Sequence, residues 1–210
     1  MNRRFSVAAF ALLVAAPLAA QAPQGWQMRV DRSTNAADPD DVPNVTFTAL
    51  GSGFQVNTGP AAVVWNPENT AEGEYTIKGT FTMLEPSGHV NYYGIVFGGA
   101  ALEGSRQNYL YFLIAQNGTF IVKHRANDEA VHDVQPRTAH EAVVEPDASG
   151  QSVNELEVRV GADEIDFVVN GTVVHTQPRT GMAARTDGIW GARINHRMPG
   201  VVVEGLSVSR

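Results

Sequence analysis

The sequence predicts an all-β protein: a two-sheet antiparallel sandwich of jelly-roll type, with little or no helix outside an N-terminal leader. Three observations carry that expectation. Two Asn-Gly dipeptides, Asn117-Gly118 and Asn170-Gly171, each sit between strand-like runs. A two-residue type I′ turn needs positive φ at both central positions, and Asn followed by Gly tolerates this best. Apolar and polar residues alternate with a period of two in several segments, which gives one buried and one wet face. Clusters of Gly, Pro, Asn and Asp cut the chain into about a dozen short runs, the punctuation of a sandwich.

The leader comes first. Arg3 and Arg4 precede an apolar stretch from Phe5 to Leu18, broken only by Ser6 and Pro17, and small residues follow at Ala19 and Ala20. This is the pattern of a secretory signal. Cleavage after Ala20 leaves Leu18 at the −3 position. Cleavage after Ala22 fits A-x-A better but puts Pro23 behind the cut. The cut after Ala20 is expected, with 21–210 as one sandwich domain. A retained membrane anchor is the competing reading, but the apolar run falls short of the roughly 20 residues a bilayer needs.

Strands are expected at Trp26–Val30, Val45–Leu50, Phe54–Asn57 and Ala62–Trp65. Asp38-Pro39-Asp40-Asp41, Gly51-Ser52-Gly53, Asn66-Pro67-Glu68-Asn69 and Pro86-Ser87-Gly88 read as turns around them. Over Glu74–Leu84, Tyr75, Ile77, Phe81 and Met83 alternate with Glu74, Thr76, Lys78, Thr80 and Thr82, so one face is buried. Tyr92–Phe97 follows. The first hairpin joins 108–116 to 119–125. A two-residue turn pairs Tyr111 with His124, sets Tyr109 on the same face, and puts Lys123 and Arg125 on the other face with Leu110 and Phe112. From Ala126 to Ser152, with Pro136, Pro146 and Gly150, lies the longest stretch read as irregular. In Asn154–Val160, Leu156, Val158 and Val160 alternate with Glu155, Glu157 and Arg159. The second hairpin joins 164–169 to 172–176 and pairs Asp166 with His175. Ala183-Ala184-Arg185 hints at a single helical turn, and Gly188–Ile194 and Val201–Val208 close the chain.

The chain has 210 residues and a formal charge of −7, which becomes −9 once Arg3 and Arg4 leave with the signal. It has no cysteine and two lysines, Lys78 and Lys123. An acidic protein of this kind is a poor match for nucleic acid or anionic lipid. Neutral partners such as sugars fit better. The absence of cysteine excludes disulfides and a lipoprotein anchor. Export without disulfides suits a bacterial periplasmic or extracellular protein.

Asn91-Tyr92-Tyr93-Gly94-Ile95, Asn154-Glu155-Leu156, Asn170-Gly171-Thr172-Val173-Val174, and Gly191-Ala192-Arg193-Ile194-Asn195-His196 followed by Val201–Leu206 carry a family resemblance. The stretch from Glu74 to Arg210 resembles the concanavalin A-like, or laminin G-like, sandwich. It is nearest to the 3-keto-disaccharide hydrolase-like domains of secreted bacterial proteins. The resemblance implies the fold, and a glycoside-processing activity as one reading. Two departures from the family's pattern stand out, the second of them against that activity. A Trp is absent before Asn154, and Val96, Phe97, Gly98 and Gly99 replace polar groups beside the Gly-Ile core.

The catalytic patterns are incomplete. Glu164-Ile165-Asp166 starts like the E-x-D-x-x-E of retaining glucanases on this fold, but Val168 and Val169 stand in place of further acid, so an exposed strand face accounts for it. There is no G-x-S-x-G elbow. The six histidines lack metal-ligand spacing, and the eight-residue steps between His124, His132 and His140 read as coincidence. Asp38-Pro39-Asp40-Asp41 offers hard oxygens that could ligate Ca²⁺, but it reads first as a solvated turn, and no cofactor is expected. Asn44, Asn117 and Asn170 head N-x-T triplets, read here as turn chemistry.

What remains is a set of aromatic and polar residues suited to a sugar, which stacks on rings and is oriented by a few directional groups. Tyr109, Tyr111, His124 and Trp190, with the Asn195-His196-Arg197 corner, are the expected ligand-binding residues, with no catalytic and no metal residue among them. Ordinary core packing is the competing reading for each ring. The function expected is a secreted module binding carbohydrate or a surface glycan without catalysis. The alternatives are the glycoside-processing enzyme and a structural or protein-interaction sandwich.

Overall fold

The computed structural model describes residues 21–33, 35 and 38–210. The expected signal segment lies outside the described residues. Fourteen strands occur among those described: β1 Gln27–Asp31, β2 Thr46–Leu50, β3 Gly53–Asn57, β4 Ala61–Ala71, β5 Tyr75–Met83, β6 Tyr92–Ala100, β7 Asn108–Ala115, β8 Thr119–Ala126, β9 Ala130–Ala139, β10 Ser152–Val160, β11 Glu164–Val169, β12 Thr172–Pro178, β13 Gly188–Ile194 and β14 Val201–Ser209. Short 3₁₀ turns occupy Pro39–Asp41 and Gly181–Ala184, the latter beside the expected helical turn. Every pairing is antiparallel. One sheet runs β1-β4-β13-β6-β7-β8-β9 and the other β12-β11-β10-β5-β14-β3-β2. The expected two-sheet all-β sandwich is the fold observed.

The core lies between the sheets. The alternation in β5 and β10 sends Tyr75, Ile77, Phe81, Leu156, Val158 and Val160 inward, where they meet Tyr93, Ile95, Phe97, Leu110, Phe112 and Ile114 from the first sheet. β6 and β7 show no such alternation because both of their faces are buried. A second apolar cluster covers the outer face of the first sheet. Val63, Trp65, Tyr92, Val96, Tyr109, Tyr111, Leu113 and Ile121 form it, with Leu102 from the β6–β7 loop. This outer layer positions the site described below.

The two Asn-Gly turns differ. At Asn170-Gly171 both residues have positive φ, 50° and 80°, and Val169 pairs with Thr172, as expected for a type I′ turn. A bulge then falls between Phe167 and Val168. It moves the register by one, so Asp166 faces Thr176 and His175 faces Phe167, not the expected Asp166–His175 pair. At Asn117-Gly118 only Gly118 has positive φ, at 73°, and its N–H donates to Ala115 O at 3.2 Å. The loop is therefore three residues long, a type I turn closed by a left-handed glycine. The register shifts along the whole hairpin. Tyr111 faces Lys123, and Leu110 faces His124. The expected faces are thus corrected: Lys123 and Arg125 share a face with Tyr109 and Tyr111, and His124 lies on the side of Leu110.

Two further expectations are overturned. Asn66-Pro67-Glu68-Asn69 is not a turn but the middle of β4, bulged against β13. Its Pro67 is tolerated because β1 pairs only with 61–65, leaving that side unpaired. The supposedly irregular 126–152 stretch contains β9. As an edge strand it buries neither face, so it shows no period-two pattern, and Pro136 sits on an edge as proline must. Its pairing also sets His132 opposite His124, with rings stacked 6.1 Å apart. The eight-residue spacing of those two is a hairpin register, not coincidence. His140 stands outside it, with Nδ1 accepting from Ala142 N–H at 3.1 Å.

Candidate functional site

A cleft of about 520 Å³ opens on the outer face of the first sheet, at its β1–β13 end. Four arginines (Arg29, Arg32, Arg125 and Arg193) and five aspartates (Asp31, Asp38, Asp40, Asp41 and Asp128) line it, together with His196. Arg193 lies deepest. The alternation of β13 sends Ala192 and Ile194 into the core and Arg193 to the other face. There its NH1 donates to Asp31 Oδ2 and to the Tyr109 hydroxyl, each at 2.8 Å, and Nε donates to Asn195 Oδ1 at 3.1 Å. Its guanidinium lies 5.6 Å from the Tyr111 ring centroid, within cation–π range.

The charges are matched in a chain. Asp31 accepts from Arg193 and, through Oδ1, from Arg29 Nε at 2.9 Å. Arg29 also bonds Asp128 and the carbonyl of Gly104, while Asp128 accepts from Gln107 at 2.7 Å. Arg125 donates to the Asp128 carbonyl at 3.1 Å, and its buried Nε–H has no partner among the described residues. Burial alone raises the Asp31 pKa, but Arg193 and Arg29 outweigh it and hold the carboxyl below the usual range. For Arg193 burial opposes the charge, and Tyr109, Asp31 and Tyr111 outweigh that, keeping it above the ordinary arginine value. Both groups are therefore charged across the physiological range.

The expected site residues divide into three groups. Tyr109 and Tyr111 face the cleft side but lie beneath it, 0% and 5% exposed, and Arg193 covers Tyr111. Neither ring offers an open stacking face. His124 and Trp190 point the other way. Trp190 belongs to the inter-sheet core. His124 sits buried with its Nε2 bonded to Asn108 Oδ1 at 3.0 Å. Asn195, His196 and Arg197 do form a corner at the cleft end: Asn195 orients Arg193, His196 lines the cleft, and Arg197 reaches Asp40 at 3.3 Å. Burial holds the His196 imidazole below its ordinary pKa in spite of Asp40.

Sequence reasoning missed Arg29, Asp31, Arg125, Asp128 and Arg193. An arginine inside the otherwise apolar run Gly188–Ile194 was the available signal. In the Asp38–Asp41 turn, Asp38 caps Asp40 N–H at 2.9 Å and Asp41 accepts from Ser33 N–H at 3.1 Å, so two of the three carboxylates serve the turn itself.

No protein-family profile matches the chain, and no curated protein resembles it in sequence. Solved structures do resemble it in shape. The carbohydrate-binding module CBM66 from Bacillus subtilis superimposes with a TM-score of 0.63 at 10% identity, covering 89% of this chain and 96% of that one. A galectin-like protein of unknown function, also from Bacillus subtilis, gives 0.58 at 13% identity, with 87% and 88% covered. The carbohydrate recognition domain of Emp46p gives 0.50 at 12% identity, with 85% and 84% covered. At these identities the likeness establishes fold. Two antiparallel sheets with this superposition fit a concanavalin A-like fold.

Proposed function

We propose that this protein is an exported module that binds a carbohydrate in the arginine–aspartate cleft and does not turn it over. The observation that carries the reading is Arg125. It lines a concave cleft of four arginines and five aspartates and holds a buried N–H donor that no described residue satisfies. A buried unmet donor is costly, about 1–3 kcal/mol, so the Arg125 side chain gains by shifting to bond a hydroxylated ligand seated in the cleft. Asp128 is partly open and accepts hydroxyl protons, while the arginines donate, so the walls suit the paired donor–acceptor character of sugar hydroxyls. Likeness in fold to a carbohydrate-binding module and a carbohydrate recognition domain supports the same reading. The Arg3–Ala20 leader pattern supports export, and a chain free of cysteine is compatible with it.

The cleft differs from the ring platform that composition suggests. Recognition here rests on charged hydrogen bonds above buried tyrosines, not on stacking. Calorimetry against a panel of neutral and acidic oligosaccharides tests it. A saturable ligand is expected, with binding about tenfold to a hundredfold weaker for Arg125→Ala, the value of a hydrogen bond to a charged group. Absence of saturable binding to any glycan overturns the reading. Sustained turnover of a bound glycoside overturns its non-catalytic part.

A further inference from the structure

Three side chains from distant parts of the chain meet beside the cleft. Asp40 stands in the Pro39–Asp41 turn, His89 in the β5–β6 connection and His196 just after β13. Each turns one ligand atom toward the same small volume. The two Nε2 atoms lie 3.0 Å apart, and Asp40 Oδ2 lies 3.3 Å from that of His196 and 3.8 Å from that of His89. A triangle with those sides has a circumscribed radius of about 2.0 Å, so one point lies at the zinc–nitrogen and zinc–oxygen bond length from all three atoms at once.

Hydrogen bonding accounts for the cluster poorly. With both imidazoles neutral and each holding its other proton at Nδ1, nothing lies between three acceptors. With one proton at Nε2, a single donor serves two competing partners. Asn91 Nδ2 also lies 3.3 Å from His89 Nε2, but its better partner is Ser87 Oγ at 2.9 Å. The surroundings orient the carboxylate. Arg197 NH1 holds Asp40 Oδ1 at 3.3 Å, leaving Oδ2 for the histidines, and Asp38 fixes the backbone N–H of Asp40. Outer contacts of this kind orient metal ligands.

We propose that Asp40, His89 and His196 bind one divalent transition-metal ion of the zinc class through Asp40 Oδ2 and the two imidazole Nε2 atoms. Two nitrogens and one carboxylate oxygen suit zinc and its neighbours, whereas Ca²⁺ takes oxygen ligands alone. The site is therefore distinct from the Ca²⁺ cluster that Asp38–Asp41 suggests in the sequence, and shares only Asp40 with it. Three protein ligands leave a fourth position open. Asp40 and His196 also line the cleft, so the ion would border the ligand's place. It would tie the Asp38–Asp41 turn to two loops of the sandwich.

The test needs no sugar, so it stands or falls separately from the glycan reading. Chelator-stripped protein is titrated with Zn²⁺ alone, by calorimetry and by competition with a chromophoric chelator. One equivalent should bind. His89→Ala and His196→Ala should each weaken binding at least about tenfold, the scale of losing a coordinating or orienting group. Excess Ca²⁺ should not displace the ion. Melting in chelator, compared with the unaltered protein, shows whether each variant folds. Should a variant fail to fold, imidazole ¹⁵N spectra of the unaltered protein decide. Zn²⁺ should shift Nε2 of His89 and His196 and leave His124, His132, His140 and His175 in place. Unchanged Zn²⁺ affinity in the folded variants, displacement by Ca²⁺, or unmoved His89 and His196 signals each overturn the proposal.

Discussion

At Arg193 a guanidinium carries its charge with only 7% of its side chain exposed, a position tolerable only because Asp31, Tyr109 and Asn195 meet it. Removing one partner of a buried pair is costlier than removing both. Asp31→Asn should therefore destabilise by about 3 kcal/mol, and pairing it with Arg193→Met should cost less than the two single changes summed. Urea melts of the four proteins measure this, and strict additivity would count against a coupled pair. His124 gives a pH signature. Burial, His132 and Arg185 all push its pKa below the ordinary value, and its Nδ1 has no partner among the described residues. A histidine with a depressed folded pKa contributes its stability above the unfolded pKa of about 6.5 and loses it as pH falls through that value toward the folded one. Stability should thus fall as pH drops below about 6.5, and His196, also held below its ordinary value, adds to the slope. His124→Gln keeps a donor for Asn108 and should flatten the slope; an unchanged slope would assign it to other groups.

The hairpins show how elements are tied together. Asn170 is more than a turn residue. Its side chain donates to Ala142 O at 2.8 Å and Asn154 Oδ1 at 2.9 Å and accepts from Glu155 N–H at 2.8 Å. Asn154, fully buried, in turn holds both the N–H and the carbonyl of Val144. One Asn-Gly turn thus clamps the loop that leads from β9 to β10. A Cβ at Gly171 meets nothing within 4 Å, so a substitution there reports chiefly backbone strain. Gly171→Val should cost about 1–2 kcal/mol, because a β-branched residue resists a φ of 80°. A neutral effect in thermal melts would mean the turn relaxes to another type. The two Asn-Gly dipeptides look alike in sequence yet close different loops. Positive φ at Asn117 was not needed once a third residue entered the turn, and no local rule of spacing distinguishes the two cases.

At the scale of the whole molecule the second sheet covers the inner face of the first, and the first leaves a polar cleft on its outer face. On the proposed export such a cleft would stand where glycans are met, and N-terminal sequencing of the secreted protein should begin at Gln21. A product that retains Phe5 to Leu18 would sink that part of the reading. The sequence by itself determined the class of fold and most strand positions, because side-chain period and turn chemistry are set by near neighbours in the chain. It marked Asn195, His196 and Arg197 as a polar corner, since three such residues ending an apolar strand are locally conspicuous. Only the tertiary structure decided the rest. A one-residue difference in loop length reversed which side of β8 faces Tyr111, and an edge strand with both sides wet left no period to read. Asp31 and Arg193 stand 162 positions apart, and Asp40, His89 and His196 come from three separate loops. Each is unremarkable where it stands in the chain. Pairing of sheets brings them within bonding distance, and charge and coordination act over ångströms of space, not positions along a sequence.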